Sequence, residues 1–357
     1  MPYPKPPILA LDSSNPRRCG QIHGETLRNQ VRAMAQIRLE LMCTDAAFPS
    51  EKQVLEIASA HLPILKDFDE DLYLEVLGIA EGSGLSPEEI VVLNHYTDLR
   101  DLRPNHFHRD GDDAKGCSVI YSKAASGPLL GQTWDIDSSA IDHVVILKIR
   151  NRETDILLFS IAGCLGMTGM NNHAVGICIN NLNSTDAKIG IVWPALVRKV
   201  LKQSSAKQGC DLILQASLGS GHHYCVADKQ DFFGIETSGT KKKITQRGSN
   251  KTHFHTNHCL DAEMQLTHTV KSTSTTYSRY QELEKRLPQT PISSSNDMYE
   301  LFGHVSLAPK PELGHSVATC GALVMDLKAQ TALACMGPPS QEIFHNPPLH
   351  LSLARCL

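Results

Sequence analysis

No apolar run in this sequence approaches the roughly 18 residues that a membrane span needs, and charge of neither sign dominates it. Lysine and arginine number 34 against 38 aspartate and glutamate, a formal net charge of −4. With the signs mixed, a general nucleic-acid or membrane-surface binder is disfavoured. The amino end, Met1-Pro2-Tyr3-Pro4-Lys5-Pro6-Pro7, is proline-rich and lacks the apolar core of a secretory leader. A cytoplasmic protein is expected, with a peroxisomal one as the alternative although no such signal is seen in Ala354-Arg355-Cys356-Leu357. The 11 cysteines are odd in number and scattered, with no Cys-x-x-Cys pair. That excludes a disulfide framework as the organising principle and points to reduced thiols. Repeats and low-complexity tracts are also missing. What is present is a globular composition, 41% hydrophobic and 20% charged over 357 residues, enough for a substantial core in one large or two ordinary domains.

Residues 15–100 read as mostly helical. Leu27, Val31, Met34, Ile37 and Leu41 give Glu25 to Cys43 a helical rhythm, and Glu51 to Leu65 has another. A third helix, Leu72 to Gly82, ends at a Gly-Ser-Gly stop. Ser86-Pro87-Glu88-Glu89 then supplies an N-cap, a proline at the first helical position and two acids for the next helix. Residues 101–116 form a polar loop containing His106 and His108, a natural place for backbone cleavage. Beyond it the texture changes to short strands: 118–121, 129–135, 144–150, 156–161, 166–171, 176–180, 223–228, 232–236, 243–247, 252–256, 321–326 and 331–336. Helices are expected at about 192–203, 277–287 and 296–302. Helices followed by hairpins with interspersed helices imply stacked helix and sheet layers.

The change of texture falls on one dipeptide, Gly116-Cys117. If the chain is cut there, Cys117 carries a thiol and a free α-amine on one carbon. The thiolate is the nucleophile, and a free thiol near pKa 8.5 is only slightly ionised at neutrality. The α-amine titrates at about 7.7–8.0, so it can take the thiol proton itself. The cut can be made by the chain: Cys117 sulfur attacks the Gly116 carbonyl, the amide becomes a thioester, and water completes the cleavage.

The chain resembles the acyl-coenzyme A:6-aminopenicillanate acyltransferase family, self-processing cysteine N-terminal-nucleophile (Ntn) hydrolases of peptidase family C45. The resemblance is carried in order by Cys19-Gly20-Gln21-Ile22-His23-Gly24, Leu77-Gly78-Ile79-Ala80-Glu81-Gly82, Ile90-Val91-Val92-Leu93-Asn94, Gly116-Cys117-Ser118 and Gly131-Gln132-Thr133-Trp134-Asp135. It continues through Gly169-Met170-Asn171, Asn180-Asn181-Leu182, Thr256-Asn257-His258-Cys259, Met325-Asp326-Leu327 and Gly337-Pro338-Pro339. It implies an α+β fold, the αββα four-layer sandwich of two antiparallel sheets. It implies autocatalytic cleavage between Gly116 and Cys117, giving a helical 1–116 segment and a catalytic 117–357 segment that stay together as heterodimer subunits of one compact domain. The implied roles are Cys117 as nucleophile, Asp135 as support for its amino end, and Asn257 as an oxyanion-hole amide.

One departure stands out. The family's penicillin-pathway enzyme has an arginine just before its late strand, where this chain has Ser316 beside His315. Loss of a bidentate partner there argues against transferring the penicillin substrate. The expected activity is therefore that of an amidohydrolase or acyltransferase on small N-acyl amines through an acyl-enzyme thioester, with β-alanyl-amine hydrolysis favoured. The alternatives are acyl-CoA-dependent N-acyl transfer, with acyl-CoA as donor substrate, and an uncleaved interaction protein. No cofactor, metal, nucleic acid or membrane partner is expected. His253, His255, His258 and Cys259 read as structural or site-lining rather than as a metal cluster, because in a strand 253 and 255 share a face that 258 leaves.

Overall fold

The computed structural model describes residues 3–44, 46, 48–103, 116–151, 153–309, 317–339 and 345–353. The loop positions 104–115, with His106 and His108, and the arginine-equivalent positions 315 and 316 lie outside these.

Two sheets face each other. The first has the order β1 (Ile8–Asp12), β4 (Val144–Arg150), β5 (Asp155–Ile161), β6 (Thr168–Asn171), β7 (Gly176–Leu182), β8 (Gly221–Ala227), β9 (Phe232–Thr237) and β10 (Lys242–Arg247). The second runs β11 (His253–His255), β2 (Val119–Ala124), β3 (Gly127–Asp137), β12 (Val317–Asp326), β13 (Thr331–Met336) and β14 (Leu349–Ser352). Every pairing is antiparallel except β1 on β4. The sheets meet where β3 and β2 lie over β7, and Gln132 of β3 accepts the Ile179 N–H of β7 at 2.7 Å. Strands β5, β8 and β9 are buried at every residue, as expected of strands covered on both faces.

Helices α1 (Pro16–Thr26), α2 (Arg28–Thr44), α3 (Glu51–Ser59), α4 (His61–Phe68), α5 (Glu70–Ser83), α6 (Pro87–Asp101), α7 (Trp193–Val200) and α8 (Ala206–Gln215) share one hydrophobic core with the first sheet. Helices α10 (Thr275–Arg286) and α11 (Ser295–Val305) belong with the second; the single-turn α9 (Ala262–Gln265) lies between strand β11 and helix α10 in the chain. These are the two helical layers of the expected αββα sandwich. The N-terminal segment is woven into it: β1 is a strand of the first sheet, and the α1–α6 side chains fill the same core.

Several motif residues turn out to be framework. Gly20 and Gly24 of α1 lie against Gly78 and Gly82 of α5, so close that a Cβ on Gly20 would stand 2.1 Å from the Glu75 carbonyl oxygen and one on Gly78 2.1 Å from that of Arg17. Backbones at that distance admit only glycine, and a methyl group must part the helices. Gly78→Ala is expected to destabilise the protein by about 2 kcal/mol or more, read as a lowered thermal midpoint. His23 accepts the Gly163 N–H at 3.0 Å, and Asn94 holds Gly163 O at 2.9 Å and Leu165 N at 2.9 Å. Together they fasten the β5–β6 loop to the helical layer. Asn171 closes the β6–β7 turn through His173 N and Val175 N, and reaches Leu201 O and Gln203 O beyond α7.

The predicted helix over 25–43 is two helices parted at Leu27, and that over 51–65 is two helices parted at Ala60. Pro63 explains the second break, since its ring excludes the carbonyl four residues back and it has no N–H to give. The strand expected from 243 begins one residue earlier, at Lys242.

Candidate active site

Strand β2 begins at Val119, but its ladder with β3 is prolonged backwards. Ser118 N bonds Thr133 Oγ1 and Ser118 O accepts Thr133 N, each at 3.0 Å. Gly116 then forms a bridge with Asp135: Gly116 N–H donates to Asp135 O at 2.7 Å and Asp135 N–H donates to Gly116 O at 2.6 Å. Cys117, between these pairs, is 6% exposed. The carbonyl that cleavage would attack therefore already accepts a main-chain N–H.

Every main-chain polar atom of Cys117 is engaged. Its N–H donates to Asn257 Oδ1 at 2.7 Å. Its carbonyl accepts Asn180 Nδ2 at 2.8 Å and Arg279 Nη1 at 2.8 Å. Burial pushes the thiol up to about 12, the nearby Asp135 carboxyl adds to this, and the Arg279 guanidinium with the main-chain N–H groups of Asp135 and Asn181 pulls the other way. A thiol so placed is protonated at neutrality and needs a base to react.

Asp135 arrives from the end of β3. A bulge in β12 between Thr319 and Gly321 sets Thr319 opposite Asp135, where its hydroxyl donates to Oδ1 at 2.6 Å. Oδ2 is buried with no hydrogen-bond partner among the described residues and lies 3.9 Å from Arg279 Nη1. Burial raises the Asp135 carboxyl above its ordinary value despite Arg279 and Thr319. Asn257 follows β11 and is buried; its N–H is fixed by Thr276 Oγ1 at 2.7 Å and its Nδ2 donates to Asn181 O at 2.8 Å.

The fold thus brings Cys117, Asp135 and Asn257 together, and Gly116 with them. In the uncut chain Asn257 turns its oxygen to the Cys117 N–H and its nitrogen to Asn181 O.

Arg279 was not identified from the sequence. It comes from the first turns of α10, donates to Cys117 O at 2.8 Å, Ser118 Oγ at 3.0 Å and Asn257 Oδ1 at 3.0 Å, and is 4% exposed. Burial lowers its pKa, against Asp135 and Cys117, yet a guanidinium stays charged in proteins. A guanidinium therefore stands beside the cleavage site, supplied by α10 and held on the carbonyl of Cys117 rather than on the bond itself. The departure at Ser316 lies outside the described residues, and Arg279 is a separate guanidinium brought in by α10. Gly116 is required by this crowding: a Cβ there would stand 2.2 Å from Asn257 Oδ1 and 2.5 Å from Arg279 Nη2. Asn180, quoted above only as part of a motif, touches the nucleophile directly.

Among the described residues no group of three or more His, Cys, Asp or Glu could hold a metal ion, and no helix is long and apolar enough to cross a membrane. His255 is bound instead to Glu236 Oε1, at 3.1 Å. Cys259 and Cys320 are buried free thiols.

Fold and site define a class: a helix-covered two-sheet sandwich with a buried thiol at the head of a strand, ringed by amides, a carboxylate and a guanidinium. The chain belongs to the acyl-coenzyme A:6-aminopenicillanic acid acyl-transferase family, whose model matches residues 122–341, a stretch that starts just past Cys117. It is 26% identical over 191 residues to the acyl-coenzyme A:6-aminopenicillanic-acid-acyltransferase 40 kDa form of Emericella nidulans, which is 53% of this chain and 52% of that protein. The alignment spans about half the length of this curated relative. Solved structures similar to it include a conjugated bile acid hydrolase from Clostridium perfringens, with TM-score 0.47, 10% identity, and coverage of 66% of this chain and 92% of that one. Another is a Caenorhabditis elegans orthologue of N-acylethanolamine-hydrolyzing acid amidase, with TM-score 0.41, 14% identity, and coverage of 59% and 93%.

Proposed function

We propose that this protein is a self-processing cysteine Ntn amidohydrolase or acyltransferase, cut between Gly116 and Cys117 and acting on small N-acyl amines. The observation that carries the reading is the pair of bonds across the scissile peptide: Gly116 O on Asp135 N–H at 2.6 Å, and Cys117 N–H on Asn257 Oδ1 at 2.7 Å. One donor faces the oxygen that becomes an oxyanion, and one acceptor faces the nitrogen that becomes an amine.

In the uncut chain the nitrogen of Cys117 is an amide and cannot serve as base. Asp135 Oδ2, free of hydrogen bonds among the described residues and 3.9 Å from Arg279 Nη1, takes that role, accepting the thiol proton as the sulfur attacks the Gly116 carbonyl carbon. The C–N bond breaks, the proton passes to the departing nitrogen, and water hydrolyses the Gly116 thioester. The freed α-amine then becomes the base for turnover, with Asp135 and Asn257 holding it. For Asn257 Nδ2 to serve a substrate oxyanion, its bond to Asn181 O must be exchanged once the chain is cut. The 1–116 and 117–357 pieces stay together because β1 and α1–α6 are built into the shared sheet and core.

A base works in its ionised form, and the Asp135 carboxyl is raised by burial. Self-cleavage is therefore expected to be fast above that raised pKa and to be lost as pH falls through it, with an inflection above the ordinary aspartate value of about 3.9. Asp135→Asn should slow the cut and remove the inflection; the measurement is the rate of fragment appearance from pH 3 to 8.

The acyl-enzyme thioester serves water or an amine equally, and both substrate readings follow from it. One is hydrolysis of β-alanyl amines. The other is acyl-CoA-dependent N-acylation, favoured by the family match and by the Emericella nidulans relative. Incubating the processed protein with a panel of N-acyl amines and of acyl-CoA thioesters tests them: amine release from the first supports hydrolysis, and turnover of thioesters alone excludes it.

A further inference from the structure

Behind the two amides that touch Cys117 lie two stacked imidazoles. Asn180 of β7 and His223 of β8 are paired across the sheet, and Asn180 Oδ1 accepts from His223 Nδ1 at 3.1 Å. An asparagine amide can turn over at little steric cost. Were Asn180 turned, its oxygen would oppose the Cys117 carbonyl in place of the nitrogen that now donates to it at 2.8 Å. As it stands, Nδ2 faces the carbonyls of Cys117 at 2.8 Å and His255 at 3.5 Å, and the donor at His223 Nδ1 secures the same orientation from the Oδ1 side. The Cys225 sulfur lies beside the same ring, 3.7 Å from Nδ1 and 3.9 Å from Nε2, and the Nε2 edge is accommodated because Gly234 has no Cβ, which would stand 3.0 Å from Nε2.

His223 is flat against His255, with ring centroids 3.6 Å apart and planes 15° from parallel. His255 in turn donates from Nδ1 to the Thr256 carbonyl at 2.5 Å, the peptide that leads into Asn257, and its Nε2 is hydrogen-bonded to Glu236 Oε1 at 3.1 Å. Glu236 is held by Leu260 N at 2.7 Å and Asp261 N at 3.2 Å. His223, His255 and Glu236 are all fully buried. Burial, with His255 and His253 nearby, depresses His223 well below its ordinary value, so it stands as a neutral donor.

We propose that His223 is a positioning residue for the nucleophile: through Asn180 it fixes the Cys117 carbonyl, and its stacked partner His255 fixes the peptide carrying Asn257. The need begins before the cut, when the Cys117 sulfur must be held against the Gly116 carbonyl, and it persists afterwards. Cys117 then loses its tether to Gly116, and the hydrogen bonds to its carbonyl from Asn180 and Arg279 remain to hold the new terminus. Misplacement of reacting groups by about 1 Å costs on the order of 10²-fold in rate.

The inference rests on the reading of Cys117 as the self-cleaving nucleophile, and self-cleavage is its assay, since no substrate has to be known. Chains made by cell-free translation are followed for the fragment beginning at Cys117, with Cys117→Ala in parallel. Cutting of the parent but not of Cys117→Ala establishes that reading independently. His223→Phe keeps a flat ring on His255 and removes the donor; His223→Gln keeps a donor and removes the ring. We expect the phenylalanine variant to cut about 10- to 100-fold more slowly and the glutamine variant to stay within about threefold of the parent, although the phenylalanine variant has the higher thermal midpoint. Asn180→Ala should cut as slowly as His223→Phe, and combining the two should add nothing. Should His223→Phe fail to fold, Asn180→Ala with and without His223→Gln carries the same comparison. Parent-like cutting by a folded His223→Phe or Asn180→Ala, a slower glutamine than phenylalanine variant, or effects that multiply in the double variant would overturn the proposal.

Discussion

Cys117→Ala is expected to leave the chain uncut and to remove turnover, with its fold intact. The contacts of residue 117 are main-chain contacts: N–H to Asn257 and carbonyl to Asn180 and Arg279. Alanine keeps all of them, so what is lost is the sulfur. Emptying one buried thiol site costs about 1 kcal/mol, whereas removing a covalent nucleophile costs on the order of 10⁴-fold or more in rate. Cleavage and turnover should vanish together because one atom performs both. The check is a mass spectrum and a thermal melt of the same sample; a variant that is folded and still cut would mean that another group attacks the bond.

Arg279→Ala is expected to be the next most damaging change. It removes donors from Cys117 O, Ser118 Oγ and Asn257 Oδ1 and leaves the buried Asp135 carboxylate without its cation at 3.9 Å. Breaking a buried pair from one side costs about 3–5 kcal/mol. The carboxyl would move further towards its neutral form and could no longer take the thiol proton, while Cys117 would lose the charge that restrains its pKa. Cutting should slow by about 10²-fold or more. Arg279→Lys should recover little, since an ammonium is a point charge without the planar fork that reaches two acceptors at once. The rate of fragment appearance decides, and parent-like cutting by Arg279→Ala would show that the guanidinium only fills space.

What could be read from the sequence was what is local. The change from polar loop to β-branched strand marks Gly116-Cys117, and alternation along 118–137 places Asp135 on the neighbouring strand, where it meets Gly116. The order of elements implied stacked helix and sheet layers, and the αββα arrangement of those layers came from the family resemblance. Arg279 was not legible, because α10 reaches the site only through tertiary packing and its Ser-Thr-rich first turn has no feature of its own in sequence. The same holds for Asn180, whose partner His223 lies 43 residues on. Strand β1 was missed beside its prolines. Helix α8 was missed because Gly209 interrupts its pattern; that glycine lets the helix lie close to Val200 and Val226. Strand β14, only Leu349–Ser352, is too short to give a period.

Intact-mass analysis of the purified protein, with sequencing of each amino terminus, tests the central claim most directly. Two species are expected, one ending at Gly116 and one beginning at Cys117, running together through gel filtration. A single full-length species, with no fragment beginning at Cys117, would contradict the claim and leave a family member that binds without processing itself.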